Sequence, residues 1–266
     1  MNQNLLKVLF VADVVGKPGC DILEEILPTL IDKHKADFVV ANGENANNGK
    51  GITDKQAERF FKLGVDVITG GNHTWENWKL KELFDKYSNI LRPANYPEKN
   101  VGNGYKSIEL KNGITVTVIN LQGRTFMTPI NCPFQTVDKI LAEIEEISPL
   151  IIVDFHAEAT AEKIALGWYL DGRVSAVLGT HTHVQTADER ILPKGTGYIT
   201  DLGMTGPHDS VIGMDINTAL HRFIKQTPRK FTMATDNKRF NAAFLEIETT
   251  TKKCISINRI NLPEGL

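Results

Sequence analysis

Five short apolar runs are each closed by residue types that bind metals, and this repeated pattern constrains the fold more than any other feature of the chain. The runs are Val8-Leu9-Phe10-Val11-Ala12 before Asp13, Phe38-Val39-Val40-Ala41 before Gly43-Glu44-Asn45, and Val65-Asp66-Val67-Ile68-Thr69 before Gly70-Gly71-Asn72-His73. Two more follow: Ile151-Ile152-Val153-Asp154-Phe155 before His156, and Ala176-Val177-Leu178 before Gly179-Thr180-His181-Thr182-His183. Short runs rich in Val, Ile and Phe read as buried strands. In an open α/β sheet the loops that leave the strands gather at one edge, where ligands bind. Asp, Glu, Asn and His arriving at that edge together predict one shared site built to hold two metal ions.

Between the runs the pattern turns helical. Residues 22–34 carry Leu23, Ile26, Leu27, Leu30 and Ile31 on one face, with Pro28 expected to kink or split the helix. Thr53 and Gln56 form a capping box for a helix through Leu63, and a further helix is expected over 75–87. Then the texture changes. Segments 105–110 and 115–120 flank Lys111-Asn112-Gly113, a hairpin signal. Helices over 137–147, 162–170 and 217–225 alternate with strands over 151–155 and 176–178 and with short β segments at 187–192, 197–200, 242–247 and 255–260. Parallel units and hairpins together suggest an α/β fold of two mixed sheets packed face to face with helices outside, in one domain over 1–266.

Composition narrows the function classes. A net charge of −2 with no basic run beyond pairs such as Lys252-Lys253 argues against duplex nucleic acid and anionic membrane as partners. Three scattered cysteines, Cys20, Cys132 and Cys254, with no Cys-x-x-Cys, argue against a disulfide framework and a thiolate zinc site. The first apolar run is broken by Asp13, so it reads as neither signal peptide nor membrane span. A cytoplasmic enzyme acting on a small molecule is the expectation, with homo-oligomer formation left open.

The site residues carry distinct chemistry. His181 and His183, two apart, point the same way in a strand extension or a tight loop, so both rings can reach one site. His156 stands at the equivalent edge of the neighbouring run, although a lone His after a strand is more often structural. Asp13 and Glu44 are read either as ligands or as helix caps; a carboxylate can bridge two cations about 3.5–4 Å apart, and Glu44 is the better bridge. Asn72 offers a neutral oxygen. His73 points elsewhere and suits proton transfer to a leaving oxygen. Arg124, after Gln122-Gly123, and His208, beside Gly206-Pro207, are weaker candidates for substrate contact. Trp75 and Trp78 could stack a base but read better as core. Asp201 and Asp215 are read as partners of the ligands or as caps, with no choice between the two.

Gly71-Asn72-His73, then His156, then Gly179-Thr180-His181-Thr182-His183 follow in order the Gly-Asn-His, His and Gly-His-x-His blocks of the calcineurin-like metallophosphoesterase superfamily, which the chain resembles. It departs from the opening Asp-x-His, with Asp13-Val14-Val15, and from Gly-Asp, with Gly43-Glu44-Asn45. Those departures, with Gly-Glu-Asn-Ala at 43–46 and Thr-Asp-Leu-Gly-Met-Thr-Gly-Pro at 200–207, are similar to the YmdB-like branch, over nearly the whole chain. The resemblance implies a four-layer α-β-β-α sandwich. It implies one metal held by Asp13, Glu44, Asn45 and His183, and a second by Glu44, Asn72, His156 and His181, with Glu44 bridging and His73 as proton donor. It also implies hydrolysis of cyclic nucleotides, notably 2′,3′-cyclic nucleotides opened at the 2′ bond, by a hydroxide held between the metals. An oxygen and nitrogen donor set suits iron, manganese or zinc. A phosphomonoesterase or phosphoprotein phosphatase on the same core, and a nucleotide-sensing regulatory protein with slow turnover, are the alternatives.

Overall fold

The computed structural model describes residues 4–147 and 149–263. The two ends of the expected 1–266 domain and residue 148 therefore lie outside the described residues. Strand β1 (Leu5–Val11) runs antiparallel to β12 (Lys238–Glu248) and parallel to β3 (Phe38–Asn42), which in turn lies parallel to β4 (Val67–Thr69). Short β2 (Asp13–Val14) pairs with β11 (Met204–Pro207), and β13 (Cys254–Leu262) lies on β12, completing a seven-stranded sheet. The second sheet has six strands in the order β5 (Tyr105–Glu109), β6 (Thr115–Gln122), β7 (Leu150–His156), β8 (Ala176–Thr180), β10 (Gly197–Ile199), β9 (Arg190–Ile191). Within it β6, β7, β8 and β10 are parallel.

Three apolar layers separate the four structural ones. Leu6, Val8, Phe10 and Val40 of the first sheet meet Val118, Ile152, Ala176 and Leu178 of the second in the central core. The opposite faces of the same strands, through Leu9, Val11 and Val39, bury Leu23, Leu27 and Phe60 of α1 (Gly16–His34) and α2 (Asp54–Lys62). Ile119, Val153 and Phe155 take up Val137, Ile140, Leu166 and Leu170 of α4 (Pro133–Glu143) and α5 (Thr160–Leu170) on the other side. Alternating side chains of β1 and β7 thus serve two different cores, as strands buried on both faces require. The expected α-β-β-α sandwich is the observed fold.

Several local expectations hold and several are corrected. The capping box is present: Gln56 N–H donates to Thr53 Oγ1, and Thr53 N–H to Gln56 Oε1 at 3.0 Å. The hairpin turn also forms, with Gly113 at φ +79°. Helix α1 begins at Gly16, six residues before the expected start, and runs unbroken through Pro28. Pro28 lies on the exposed face, where water can satisfy the carbonyl one turn back that loses its donor. The expected 75–87 helix is instead a 3₁₀ turn, Asn72–Glu76, followed by α3 (Leu80–Lys86). The break lies at Asn77, whose side chain donates to Ile52 O at 2.7 Å and accepts Lys79 N–H at 3.0 Å, so a local side-chain bond displaces the helical ladder. Trp75 packs on Tyr96, but Trp78 is 85% exposed and not core. The expected 187–192 strand shrinks to Arg190–Ile191. Helix α6 (Ile216–Lys225) is capped by Asp215, which accepts Thr218 N–H at 2.8 Å.

Candidate metal centre

The carboxyl ends of β1, β3, β4, β7 and β8 meet where the two sheets come together, and seven predicted residues meet with them. His156, wholly buried, ends β7; its Nε2 lies 3.0 Å from Glu44 Oε1, 3.1 Å from Asn72 Oδ1 and 3.0 Å from His181 Nδ1. Beside this group, Asn45 Nδ2 lies 3.0 Å from Glu44 Oε1 and 3.2 Å from His183 Nε2, which is 3.9 Å from Asp13 Oδ1. Glu44 Oε1 is common to both groups. Its other oxygen accepts His73 N–H at 3.0 Å, which fixes the carboxylate from behind.

The donor set suits cations. His156 Nδ1 lies 2.9 Å from Thr180 Oγ1, and the Thr180 hydroxyl donates to Asp154 Oδ1 at 2.7 Å. The hydroxyl must therefore accept from Nδ1–H, so Nε2, which faces Glu44, Asn72 and His181, is the nitrogen left to bind either a proton or a cation. One ring nitrogen facing three acceptors has too few protons to satisfy them, and a cation placed among them would satisfy all four. Asp13 gives the same indication. Its Oδ2 accepts His181 N–H at 3.1 Å, while Oδ1 is buried with no hydrogen-bond partner among the described residues.

Charge coupling within the cluster is strong. Burial opposes ionisation of Glu44, but His156 and His73 beside it hold its carboxyl down to about 2. Burial works against protonation of His156 too, yet Glu44 raises it to about 9. His181 is held down to about 3 by burial and by His156. Burial pushes Asp13 up, against the pull of His183 and His156. A proton on His156 thus offsets the carboxylates, and an arriving cation would displace it.

Backbone strain delivers the two histidines. Both rings reach the site, but from a tight loop of left-handed backbone, φ +101° and +65°, rather than from an extension of the strand. Thr182 between them is held by Asp201 Oδ2, which accepts its N–H at 3.0 Å and its hydroxyl at 2.7 Å. Such conformations persist only where surrounding bonds over-determine them.

Comparison with known proteins now decides the family. Residues 9–260 match the family model described as YmdB-like protein. The chain belongs to the YmdB-like family. It is 50% identical, over 96% of each chain, to the 2′,3′-cyclic-nucleotide 2′-phosphodiesterase of Bacillus subtilis (strain 168). A structure described as a novel phosphatase from Mycoplasma pneumoniae superposes with a TM-score of 0.91 at 36% identity, covering 97% of this chain and 94% of that one. A hypothetical protein from Thermus thermophilus superposes with a TM-score of 0.90 at 40% identity, over 96% of this chain and 98% of that one.

Around the centre of this YmdB-like chain stand residues that sequence reasoning missed. Asp154 accepts from Thr180, from Thr69 Oγ1 and from Asn42 Nδ2 at 3.0 Å, tying the two sheets together behind His156. A lone Asp in an apolar strand was the available signal. Buried Lys163 pairs with Asp201 at 2.6 Å, which settles Asp201 as a support of the histidine loop. Glu76, three residues after His73 on the 3₁₀ turn, lies 2.6 Å from its Nδ1, a spacing that could have been read directly. Glu158 lies 3.0 Å from His181 Nε2. His183 Nδ1 donates to Ile212 O at 2.9 Å, leaving Nε2 for the centre. Of the weaker candidates, Arg124 and His208 are not among the residues lining the cleft over the centre. Arg124 gives its backbone N–H to Glu162, and His208 Nε2 faces Met204 O at 3.0 Å.

Proposed function

We propose that the chain is a binuclear metal-dependent phosphodiesterase that opens 2′,3′-cyclic nucleotides by expelling the 2′ oxygen, leaving 3′-nucleotides. The observation that carries this reading is the convergence of Glu44, Asn72 and His181 on His156 Nε2, next to a second cluster sharing Glu44 Oε1. Similarity to the B. subtilis enzyme supplies the substrate class. Asp13, Glu44, Asn45 and His183 would hold one ion, and Glu44, Asn72, His156 and His181 the other. A half-turn of the Asn45 amide presents its oxygen in place of its nitrogen. Iron, manganese or zinc fits these donors. When bound, such ions supply Lewis acidity to the phosphoryl oxygens and to the attacking water.

The chain's own groups do the rest. His73 lines the cleft and gives its Nδ1–H to Glu76, so Nε2 is the atom that protonates the departing ribose oxygen. Glu76 keeps the ring turned towards that position. Glu158 and the Ile212 carbonyl each take the outward N–H of a histidine, holding its other nitrogen inward. Among the described residues no helix is long and apolar enough to cross a membrane, and a small soluble phosphodiester matches the cleft.

The test pairs metal analysis with product analysis. Purified protein should carry close to two transition-metal ions per chain, and chelation should abolish turnover. Chromatography after incubation with adenosine 2′,3′-cyclic phosphate should show the 3′-phosphate. A 2′-phosphate product would reverse the assigned ribose orientation. Brisk cleavage of monoesters with no attack on any cyclic nucleotide would favour the phosphatase reading, which the description of the Mycoplasma structure supports.

A further inference from the structure

The cleft over the metal centre encloses about 730 Å³, within the usual range for small-ligand sites. Its walls differ in chemistry. Glu44, Asn45, His181 and His183 of the cluster, with His73, Glu76 and Glu158, give it polar lining, and Ile212, Met214 and Phe231 give it apolar lining. Phosphate chemistry does not use an apolar wall.

The wall is built at a conformational cost. Val211 and Met214 exchange backbone hydrogen bonds of 2.9 and 3.0 Å around a two-residue turn, Ile212-Gly213, with φ of +49° and +99°. Turns with both central residues left-handed favour Asn-Gly, and a β-branched residue there is an outlier. The turn is held in place from outside. Ile212 O accepts from His183, Gly213 O accepts Ala234 N–H at 3.0 Å, and Asp215 N–H donates to Thr232 O at 2.9 Å. Ile212 is nevertheless 56% exposed and Phe231 40% exposed, both on the cleft. Neither belongs to a buried core cluster among the described residues. Arg222 of α6 and Lys50 line the same cleft, and neither makes an ion pair or a side-chain hydrogen bond among the described residues. The exposed Trp78 and Phe126 do not line it.

We propose that Ile212, Met214 and Phe231 form the nucleobase subsite, with Arg222, which lines the same cleft, available to the nucleotide's polar groups. The proposal rests on the phosphodiesterase reading and deepens it. A base has an apolar face of the size that Phe231 offers, and stacking on an aromatic ring is tolerant of base identity. The three wall side chains carry no strong hydrogen-bonding group, so the subsite reads the presence of a base rather than which base it is.

The experiment compares adenosine 2′,3′-cyclic phosphate with the base-free methyl ribofuranoside 2′,3′-cyclic phosphate, using metal-loaded enzyme. Wild type should prefer the nucleotide in kcat/KM and accept the four common bases within a few-fold. Phe231→Ala should cut the ratio of the two kcat/KM values about tenfold, within the range that base–aromatic stacking carries, mainly through KM. Ile212→Asn, which suits the turn and keeps the carbonyl that holds His183, should lower the same ratio without loss of folding. A wild type without preference for the nucleotide, or variants in which both esters slow equally, would overturn the subsite while leaving the phosphodiesterase reading intact. Hydrolysis of neither ester by wild type would overturn both.

Discussion

Gly71→Ala tests the proposed metal centre with a single methyl group. A Cβ at residue 71 would lie 2.2 Å from Glu44 Oε2 and 2.4 Å from both Cδ2 and Nε2 of His156, against a closest approach of 3.0 Å for real Cβ atoms. Glu44 would have to retreat by about 0.8 Å and His156 by about 0.6 Å. Neither can do so freely. Glu44 Oε2 is held by His73 N–H, and His156 is held from behind through Thr180 and Asp154. The backbone at Gly71, φ −163°, lies outside the left-handed region, so the effect of the substitution is chiefly steric. Overpacking of this kind costs about 1–3 kcal/mol, whereas a displacement near 1 Å in a reacting centre costs about 10²-fold in rate. Gly71→Ala should therefore lose metal and at least about 10²-fold in kcat/KM while keeping its fold. Gly104→Ala is the control: its Cβ would meet Ala94 Cα and Cβ at 2.4 Å, in the hairpin region rather than at the centre. It should lose comparable stability and keep its metal. Metal content by mass spectrometry, thermal midpoint and kcat/KM, measured on both variants, decide the matter. Full metal and activity in Gly71→Ala would refute the reasoning, because Glu44 and His156 would then not meet at one ion.

Other perturbations separate the roles. His73→Ala should keep most bound metal and lose roughly 10²–10⁴-fold in turnover, with a smaller loss on nitrophenyl esters, whose leaving group needs no proton; a collapse in metal content would make His73 a ligand instead. Glu44→Gln should deplete both ions and Asn72→Ala mainly one, as counted by metal analysis; equal depletion would remove Glu44 from the bridging position. Lys163→Met leaves Asp201 buried without its cation, a loss of about 3–5 kcal/mol and roughly 10 °C in thermal midpoint; an unchanged midpoint would show that the pair contributes little. Burial pushes the thiols of Cys20 and Cys254 up to about 11. At pH 8 an alkylating reagent should therefore label Cys132, which is partly exposed, well before the other two. Mass mapping that found all three labelled at one rate would contradict this.

Local chemistry made much of this protein legible. Backbone hydrogen bonding and side-chain periodicity act over a few residues, so the apolar runs, the Thr53 capping box and the Asn112-Gly113 turn could be read as written. The same periodicity put Asp13, Glu44, Asn72, His156 and His181 at strand ends, because a strand's last residue follows from where its apolar run stops. Tertiary structure decided the rest. Asn42 and Asp154 are 112 positions apart, and Asp13 and His181 are 168 apart, so no local pattern could reveal that they touch. The helix expected over 75–87 gave way because Asn77 found a partner at Ile52, 25 residues earlier. Which nitrogen each histidine turns inward depends on what takes its other one: Thr180, Glu158 and the Ile212 carbonyl come from three different segments. Which residue types reach the cluster was thus a matter of sequence, while their orientation came from long-range contacts that exist only once the two sheets have packed.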